Sequence, residues 1–477
     1  MKLSITNYQL PIALVAAVIA TAVGALIGFT NVLIATIVIA AIAVSLYTLT
    51  NLEIGMWGIV AVIALLPFAT LPIKVVLTPT FLDMALLAVL FVYAMQWMSR
   101  RRTRVTLTPA HAPIIGFIAM AVFAFVFGLR NGPLTSNLAR HFAEFILSVI
   151  FTFVVIDYVD DRQRLERMAL FIVVCGTMAA VIGIVLYFIP ENFAERALNA
   201  LRVIGYPTGN VLQYIESNPE LGQRAIGTSV NPNTLGGLLA VVGAVAAPQL
   251  TASRPLFVNR WVWGAAFALI AVCLVLTFSR TAMLALVAAS LLIAARYPKL
   301  LWVLIIGALI ILILPVTQEY VDRFVQGAQG ADLATQMRFG EYKDALILLA
   351  RYPLLGVGFA GAPDIDIYLG VSNAYLTIAQ EMGFIGLAVF LLAVIVVFGW
   401  AIEHSRKALK DDSMSSLFLG FHGSVIAMLI VGIGDHYFMN LDFQPAQTIF
   451  WMMIGLALST TRLAQAQTSE FFKNSEV

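Results

Sequence analysis

Charged residues are scarce in this sequence. Asp, Glu, Lys and Arg together make up 11% of its 477 residues, whereas 61% are hydrophobic. Soluble domains carry about 25% charged residues, so the shortage excludes an ordinary soluble domain. The charges sum to only +2 at pH 7 and form no basic stripe, which argues against a nucleic-acid partner. The chain is predicted to be a polytopic integral membrane protein in contact with membrane lipids.

Cysteine and histidine are also few. Cys175 and Cys273 both fall inside apolar runs, so each is predicted to be a small core residue rather than half of a disulfide. The five histidines are scattered without metal-ligand spacing, and we expect neither a metal nor a cofactor. After Lys2 the N-terminus becomes apolar with no small-residue cleavage site, which predicts a first spanning helix rather than a removed signal peptide.

Long apolar runs occupy most of the chain. Because a spanning helix needs about 20 mostly apolar residues, we predict an all-α polytopic bundle of about 12 to 14 transmembrane helices. They form one transmembrane domain over residues 1–477. The predicted runs are 10–28, 31–48, 53–71, 79–98, 110–129, 138–158, 168–189, 227–250, 261–279, 281–296, 300–316, 376–402, 414–434 and 445–462.

The positions of the basic residues predict the orientation. With a cytoplasmic N-terminus, most of the 28 Lys and Arg residues fall in cytoplasmic loops, including the densest cluster at residues 99–104. We therefore expect a multi-pass protein of the inner (plasma) membrane with both termini in the cytoplasm. Two long loops, 190–226 and 317–375, are then extracytoplasmic. The second is rich in polar residues, and we expect it to contain short helices and to cover an intramembrane site.

Arginines on the outer side oppose the charge bias, so several of them are candidates for a function. Arg140 and Arg280 are placed at or just inside helix ends, where an ionisable group is a functional candidate. One apolar run ends at Ser279 and the next begins at once, which predicts a tight reversal at Arg280. Its guanidinium offers a fork of donors suited to phosphate or carboxylate. The alternative is an arginine that only caps a helix hairpin and extends to the interface.

Two further stretches carry polar residues at predicted helix ends. Arg338 and Tyr342 are four residues apart on an amphipathic helix that ends at Tyr352. This helix either lies in the interface plane or directs the two side chains at the membrane opening. Residues 227–237, which include Asn233 and follow Arg224, are predicted to break the helical pattern at membrane depth, as backbone does only where it is buried in protein or lines a wet cavity.

The stretch from residue 372 to 386 brings polar side chains into the membrane ahead of a long apolar helix. Asn373, Gln380 and Glu381 precede the pair Gly383 and Gly386. Small residues at this spacing are typical of a helix-packing face. That interpretation accounts for the glycines but less well for Asn373 and Glu381.

Residues 220–400 resemble the bacterial O-antigen ligase and polymerase family through three matches in the right order. The first is the Arg-x-x-x-Leu pattern at Arg280. The second is the helix and Tyr-Pro-Leu-Leu-Gly-Val-Gly turn between Arg338 and Gly358. The third is the family's His-Asn pair followed by nine residues and Gly-x-x-Gly, where this chain has Ser372-Asn373 and then Gly383-Phe-Ile-Gly386.

The resemblance implies a metal-independent membrane glycosyltransferase that acts on the outer face of the inner membrane. Its donor would be a glycan on an undecaprenyl pyrophosphate carrier, and its acceptor a hydroxyl of a lipid-linked core or of a growing glycan. A pyrophosphate leaving group needs fixed positive charge, for which Arg224, Arg280 and Arg338 are the candidates. Tyr342, Asn373 and Asn233 are the further substrate-binding candidates.

The chain departs from the family at one position, since Ser372 stands where the family has histidine. Serine cannot act as a general base near neutral pH, so another group must accept the proton. The candidates are Glu341, Asp344, Glu381, His436 and, less favoured, His141. We prefer His436, because the neighbouring Asp435 could tune it.

Two other classes of function stay open at this stage. One is a transporter or flippase for a lipid-linked glycan, although the break at residues 231–233 has no counterpart in the other half of the chain, as transporter repeats often show. The other is an inactive family member that serves as an assembly partner, which the missing histidine would permit.

Overall fold

The computed structural model describes residues 51–71, 78–313, 318–361 and 370–475. The predicted spanning helices at 10–28 and 31–48 lie outside the described residues. We number the described α-helices in chain order. They are α1 (Leu52–Leu65), α2 (Phe81–Met98), α3 (His111–Gly128), α4 (Ser136–Tyr158), α5 (Arg162–Phe188), α6 (Glu191–Ala200), α7 (Pro232–Ala246), α8 (Arg260–Leu276), α9 (Arg280–Ala294), α10 (Lys299–Ile313), α11 (Gln318–Ala328), α12 (Leu333–Arg351), α13 (Ala374–Ala408), α14 (Asp412–Gly434) and α15 (Gln444–Ser475).

The prediction of an all-α polytopic membrane protein is confirmed. The structure is 76% helical, and no strand occurs among the described residues. Seven helices of the described part are long and apolar enough to cross a membrane, namely α2, α3, α4, α5, α7 joined to the following turn, α13 and α14. Shorter apolar helices are α1, α8, α9 and part of α10. Each predicted run from 53–71 onward coincides with one of these helices or with α15.

The centre of the bundle is formed by α14, which packs against α7, α9 and α15. Nearly every residue of α7 is buried, and most of α14 is buried too. Some of the polar side chains inside this core hydrogen-bond across helices. Ser148 and Thr448 share a hydrogen bond of 2.8 Å between α4 and α15. Cys175 and Cys273 are buried free thiols, as predicted.

Ion pairs collect in the loops at one end of the bundle. Arg102 pairs with the buried Asp157, and Arg162 pairs with Asp411. Arg462 donates to the carbonyl oxygen of Val159. These are the loops that the basic-residue bias assigns to one side of the membrane. The fold thus brings together the loops that the sequence assigned to the same face.

The remaining loops meet in the same way at the opposite end. The segment after α1 contacts the turn after α6, where the backbone N–H of Thr70 donates to Ile204. The segment between α5 and α7 contains α6 and four short 3-10 turns, Leu201–Ile204, Ile215–Ser217, Pro219–Leu221 and Gly227–Ser229. The segment between α10 and α13 contains α11 and α12. The expected short helices in a long loop are therefore present.

Two helices are broken on this side of the molecule. Residues 227–230 form a short turn with positive φ at Gly227 and Val230, after which Asn231 caps α7, as the sequence predicts. The second break, at Gly383 inside α13, has φ +67 and ψ −174. The sequence did not predict this second break, because the interpretation of Gly383 as a packing glycine leaves out its positive φ. A bare sequence pattern does not distinguish a glycine needed for space from one needed for positive φ.

Candidate functional site

Three arginines line one cavity of about 150 Å³ at the end of the bundle where α7, α9 and α12 begin. They are Arg224, Arg280 and Arg338, the residues that the sequence assigns to a pyrophosphate. Two carboxylates, Glu216 and Asp332, share the same wall. With three arginines and two carboxylates, the lining carries a net formal charge of +1. The three guanidinium groups come from different elements of the fold. We call this space the arginine cavity.

Arg280 is held by a two-pronged ion pair. It follows the reversal between α8 and α9, where Phe278 adopts a positive φ of 53°. Its Nη1 donates to Asp332 Oδ2 at 2.8 Å and its Nη2 to Asp332 Oδ1 at 3.1 Å. Asp332 also caps α12 by accepting from the backbone N–H of Thr335 at 2.9 Å. The hydrogen bond from Arg280 is the main reason that the pKa of Asp332 lies well below its ordinary value.

Arg224 is fixed by hydrogen bonds to the reversal before α9 and to the first turn of α7. Its Nε donates to the carbonyl oxygen of Thr277 at 2.8 Å, and its Nη2 donates to Asn233 Oδ1 at 2.8 Å. Asn233 also interacts with the carboxyl group of Asp435 and opposes the rise in its pKa. Burial raises the pKa of Asp435 above its ordinary value, against the opposing effects of His436 and Arg338. Asn233 therefore links the arginine cavity to the loop that carries His436.

Tyr342 and Asn373 use their polar atoms to join α12, α13 and α14. The hydroxyl of Tyr342 lies 3.2 Å from the carbonyl oxygen of Ser372 and 3.0 Å from that of Ile433. Asn373 Nδ2 donates to the same Ile433 oxygen at 2.8 Å, while its Oδ1 accepts from the backbone N–H groups of Tyr375 and Leu376. Both side chains thus fix the first turn of α13 beside the site.

A second cavity, of about 430 Å³, adjoins this junction. We call it the polar cavity. Its wall comes from the start of α4, from α12, from the first turns of α13 and from the loop between α14 and α15. The polar residues that line it are Thr135, Asn137, His141, Glu341, Ser372, Thr377, Gln380, Glu381, His436, Asn440 and Asp442.

Four of the five candidates for the missing base meet in this cavity. Glu341, Glu381, His436 and His141 all line it together with Ser372, whereas Asp344 lines neither cavity. The backbone N–H of Ser372 donates to Glu341 Oε2 at 2.8 Å. His436 Nδ1 lies 3.7 Å from Asp435 Oδ1. His141 Nδ1 lies 2.9 Å from Asp442 Oδ1. Position in the polar cavity therefore favours Glu341, Glu381, His436 and His141 over Asp344 as the base.

The break at Gly383 determines which N–H groups bond to the carbonyl groups of Gln380 and Glu381. Continuing α13 without the break would bond their carbonyl groups within the helix. Instead, the carbonyl of Gln380 accepts from Val357 at 2.8 Å, and that of Glu381 accepts from Gly358 at 2.9 Å. The turn after α12 thus takes the place of the next helical turn and satisfies the backbone where the helix is open.

A third cavity is apolar and begins beside the arginine cavity. It has a volume of about 420 Å³ and is lined by α8, α9, α10 and α11. Val325 lines the apolar cavity, while its neighbour Gln326 lines the arginine cavity. The two cavities are thus adjacent at α11. A polar head group and an attached apolar chain would fit such a pair of neighbouring spaces.

Some features of the site were not singled out from the sequence. Asp332 is the principal one, although an Asp just before an amphipathic helix is a helix-start signal that could have pointed to it. The pairing of His141 with Asp442 was also missed, and it joins residues far apart in sequence. Conversely, Arg140 does not line either cavity, since it pairs with Glu144 at 2.6 Å and with Asp83 at 3.3 Å.

The described part of the chain holds no group of three His, Cys, Asp or Glu residues that could bind a metal ion. The candidate chemistry is therefore argued from the side chains themselves. A fixed set of guanidinium groups can bind and neutralise an anion. The carboxylate and imidazole groups nearby can accept a proton.

The comparison with known families bears on this region. Residues 265–391 match the family model described as O-antigen ligase, and this stretch contains Arg280, Asp332, Arg338, Ser372 and the break at Gly383. No curated protein matches the chain. The matched segment falls inside the residues whose motifs suggested that family, 220–400. The resemblance of this chain to the O-antigen ligase and polymerase superfamily is therefore confirmed over residues 265–391.

Proposed function

We propose that this protein is a membrane glycosyltransferase of the ligase or polymerase type. Its donor is a glycan on undecaprenyl pyrophosphate, and its acceptor is a hydroxyl of a lipid-linked core or of another glycan. The observation that carries the proposal is a set of three cavities: an arginine cavity for an anion, an apolar cavity beside it at α11 for a lipid chain, and a polar cavity for a sugar, lined by Glu341 one turn after Arg338 on α12. The family match supports the same class of reaction.

The transfer exchanges one C–O bond for another. The acceptor hydroxyl oxygen bonds to C1 of the first donor sugar as the bond from C1 to the phosphate oxygen breaks. The electron pair of the broken bond stays on undecaprenyl pyrophosphate, and the hydroxyl proton passes to a base. We assign this role to His436, which lines the polar cavity beside Asp435. Ser372 cannot supply it.

The arginines stabilise the leaving group. Negative charge grows on the bridging phosphate oxygen in the transition state, and fixed donors in a partly dry cavity are most effective where charge develops. We assign Arg280 and Arg338 to this charge and Arg224 to binding of the pyrophosphate. Asp332 keeps the Arg280 guanidinium in one orientation, so little reorganisation is needed when the anion arrives.

The other three assigned residues lie around these cavities, although Tyr342 and Asn373 line none of the three. Asn233 lines the arginine cavity next to Arg224 and is assigned to the donor. Tyr342 and Asn373 hold the first turn of α13 in place, and they are assigned to substrate binding. The site is placed on the outer face of the inner membrane, with both termini in the cytoplasm, because of the charge bias of the loops.

The test is glycan transfer by the purified full-length protein in detergent, without added metal or nucleotide. The donor is an oligosaccharide on undecaprenyl pyrophosphate, the acceptor is offered both as a lipid-linked core and as a lipid-linked glycan, and the readout is free undecaprenyl pyrophosphate. We expect release by the wild type and a loss in kcat of at least about 100-fold in Arg280→Ala, the usual effect of removing one charge-stabilising donor.

Arg296→Ala is the matched control, because Arg296 is an exposed arginine just beyond the other end of α9. It should keep full activity, and both variants should show the same elution profile as the wild type. Failure of the wild type to release the carrier from any donor and acceptor pair contradicts the proposed function. Full activity of Arg280→Ala contradicts the role of that residue alone.

A further inference from the structure

We propose that the polar cavity is the acceptor site and that Gln380 and Glu381 bind hydroxyl groups of the acceptor sugar there. The proposal rests on the proposed function, because it names where the second substrate of the same reaction binds. It concerns two neighbouring residues in the first turns of α13 before the break at Gly383, one of which, Glu381, was also a candidate for the base.

Gln380 is a buried amide without a partner. The residue is only 4% exposed, and its Nε2 makes no hydrogen bond to any described residue. Leaving a buried donor unsatisfied costs about 1–3 kcal/mol, so native proteins rarely retain one without a reason. Because the residue lines the polar cavity, a ligand in that cavity can accept the missing hydrogen bond.

Glu381, the next residue, has a buried acceptor atom that lacks a donor among the described residues. Its Oε2 is buried and accepts no hydrogen bond from the described part of the chain, and the residue lines the same cavity. An amide donor and a carboxylate acceptor side by side require a ligand that both accepts and donates. A hydroxyl group does both, and neighbouring hydroxyls on a sugar ring supply the two functions at close range.

The size and polarity of the cavity agree with a sugar. Its volume of about 430 Å³ lies in the usual range of small-molecule sites, about 300–1,000 Å³. The opposite wall carries further polar groups, including the paired His141 and Asp442 and the side chain of Asn137. This cavity mixes polar groups with apolar ones such as Leu138, Phe359 and Met439, whereas the cavity beside α11 is almost wholly apolar.

The backbone holds these two side chains in place. The carbonyl groups of Gln380 and Glu381 are bonded to Val357 and Gly358, and the N–H of Phe384 donates to Pro353 at 2.7 Å. These three hydrogen bonds hold the turn against the helix on both sides of Gly383. A site for recognition benefits from such rigidity, since less entropy is lost on binding.

The experiment separates recognition of the acceptor from recognition of the donor. In the transfer assay described above, Gln380→Leu should raise the KM for the acceptor at least about tenfold, the equivalent of one lost hydrogen bond to a buried group. The KM for the donor should stay within about twofold, because the donor is bound at the arginine cavity. Glu381→Gln, which keeps the shape but adds a donor, should also raise only the acceptor KM.

Gln444→Leu is the matched control. Gln444 is likewise 4% exposed and has an unpartnered amide, but it does not line the polar cavity. It should leave both KM values unchanged. If Gln380→Leu fails to express, the conservative variant Gln380→Glu is measured against Glu381→Gln in its place, with the same expectation.

The outcomes distinguish this proposal from the proposed function. Transfer by the wild type with an unchanged acceptor KM in the Gln380 and Glu381 variants overturns the acceptor site. Equal increases in both KM values overturn it as well, since they indicate a general disturbance of α13. Absence of transfer by the wild type contradicts the proposed function itself.

Discussion

At the scale of single residues, the site depends on how each arginine is held. Arg280 is both a candidate for binding pyrophosphate and the partner of a carboxylate that caps α12. Arg224 is fixed by a carbonyl and an amide instead. The sequence identified these arginines because they oppose the charge bias. It did not identify Asp332, whose partner is 52 residues away in the chain.

Asp332→Asn should lower the free energy of unfolding by about 2 kcal/mol, since it removes a charged hydrogen-bond acceptor that is largely buried. The carboxyl pKa is lowered in the folded state, so its contribution is complete above the ordinary carboxyl pKa and is lost only as the pH falls through the folded value. The difference between variant and wild type should therefore be constant from about pH 5 to 8.

The measurement is thermal unfolding in detergent across that pH range. Asp160→Asn is the control, because Asp160 pairs with Arg164 at the surface, where its side chain is 57% exposed. Its removal should cost less than about 1 kcal/mol. When the scan is extended to about pH 3, the difference for Asp332→Asn should shrink below about pH 4, and a difference that stays unchanged down to about pH 3 would show that the carboxyl pKa is not lowered in the folded protein.

At the scale of elements, the decisive feature is the broken helix α13. A glycine pair before a long apolar helix is compatible with helix packing, and only the structure shows that Gly383 adopts a positive φ. A Cβ at Gly383 would overlap the carbonyl oxygen of Leu354. The turn after α12 and the first turns of α13 therefore form one structural unit. The local sequence of neither segment predicts this contact.

Gly383→Ala should destabilise the protein by about 3 kcal/mol, because it adds strain at positive φ to a steric overlap with backbone. Gly399→Ala provides the control in the same helix, since a Cβ there meets nothing within 4 Å and the backbone is helical. It should be neutral or stabilising by up to about 1 kcal/mol. The measurement is the melting temperature of both variants in detergent. Equal melting temperatures for Gly383→Ala and Gly399→Ala would show that the fold does not depend on the break at Gly383.

At the scale of the whole molecule, the polar loops are sorted to two ends of the bundle. The basic cluster near Arg102 joins Asp157 at one end. The arginine and polar cavities are lined by loops and helix ends that the sequence assigns to the other end, and the apolar cavity extends along α8, α9 and α10. This arrangement fits a site that is open on one face of the membrane. The charge bias supports the extracytoplasmic face as the location of the cavities.

Substituted cysteines test this orientation. Cys175 and Cys273 are buried, so the background of labelling should be low. Thr103→Cys and Gln213→Cys place thiols at exposed positions at the two ends. A membrane-impermeant maleimide should label Gln213→Cys in intact spheroplasts and Thr103→Cys only after lysis. The reverse pattern would place the arginine cavity in the cytoplasm and contradict the proposed location.

The sequence by itself determined the class of the protein and most of its helices. Apolar runs of sufficient length form helices in lipid because the backbone has no other partner there, and that rule needs no tertiary information. The tight reversal at Arg280 and the break before α7 followed from the same local rules. The family motifs also identified the segment that carries the arginines.

Tertiary structure decided how these residues are grouped. It placed Arg280 on Asp332, gathered His141, Glu341, Glu381 and His436 around Ser372, and opened α13 at Gly383. These arrangements depend on contacts between segments far apart in the chain. The physical reason is that local sequence determines which segments become helices, whereas the satisfaction of buried charges and broken backbone depends on what the packed neighbours supply.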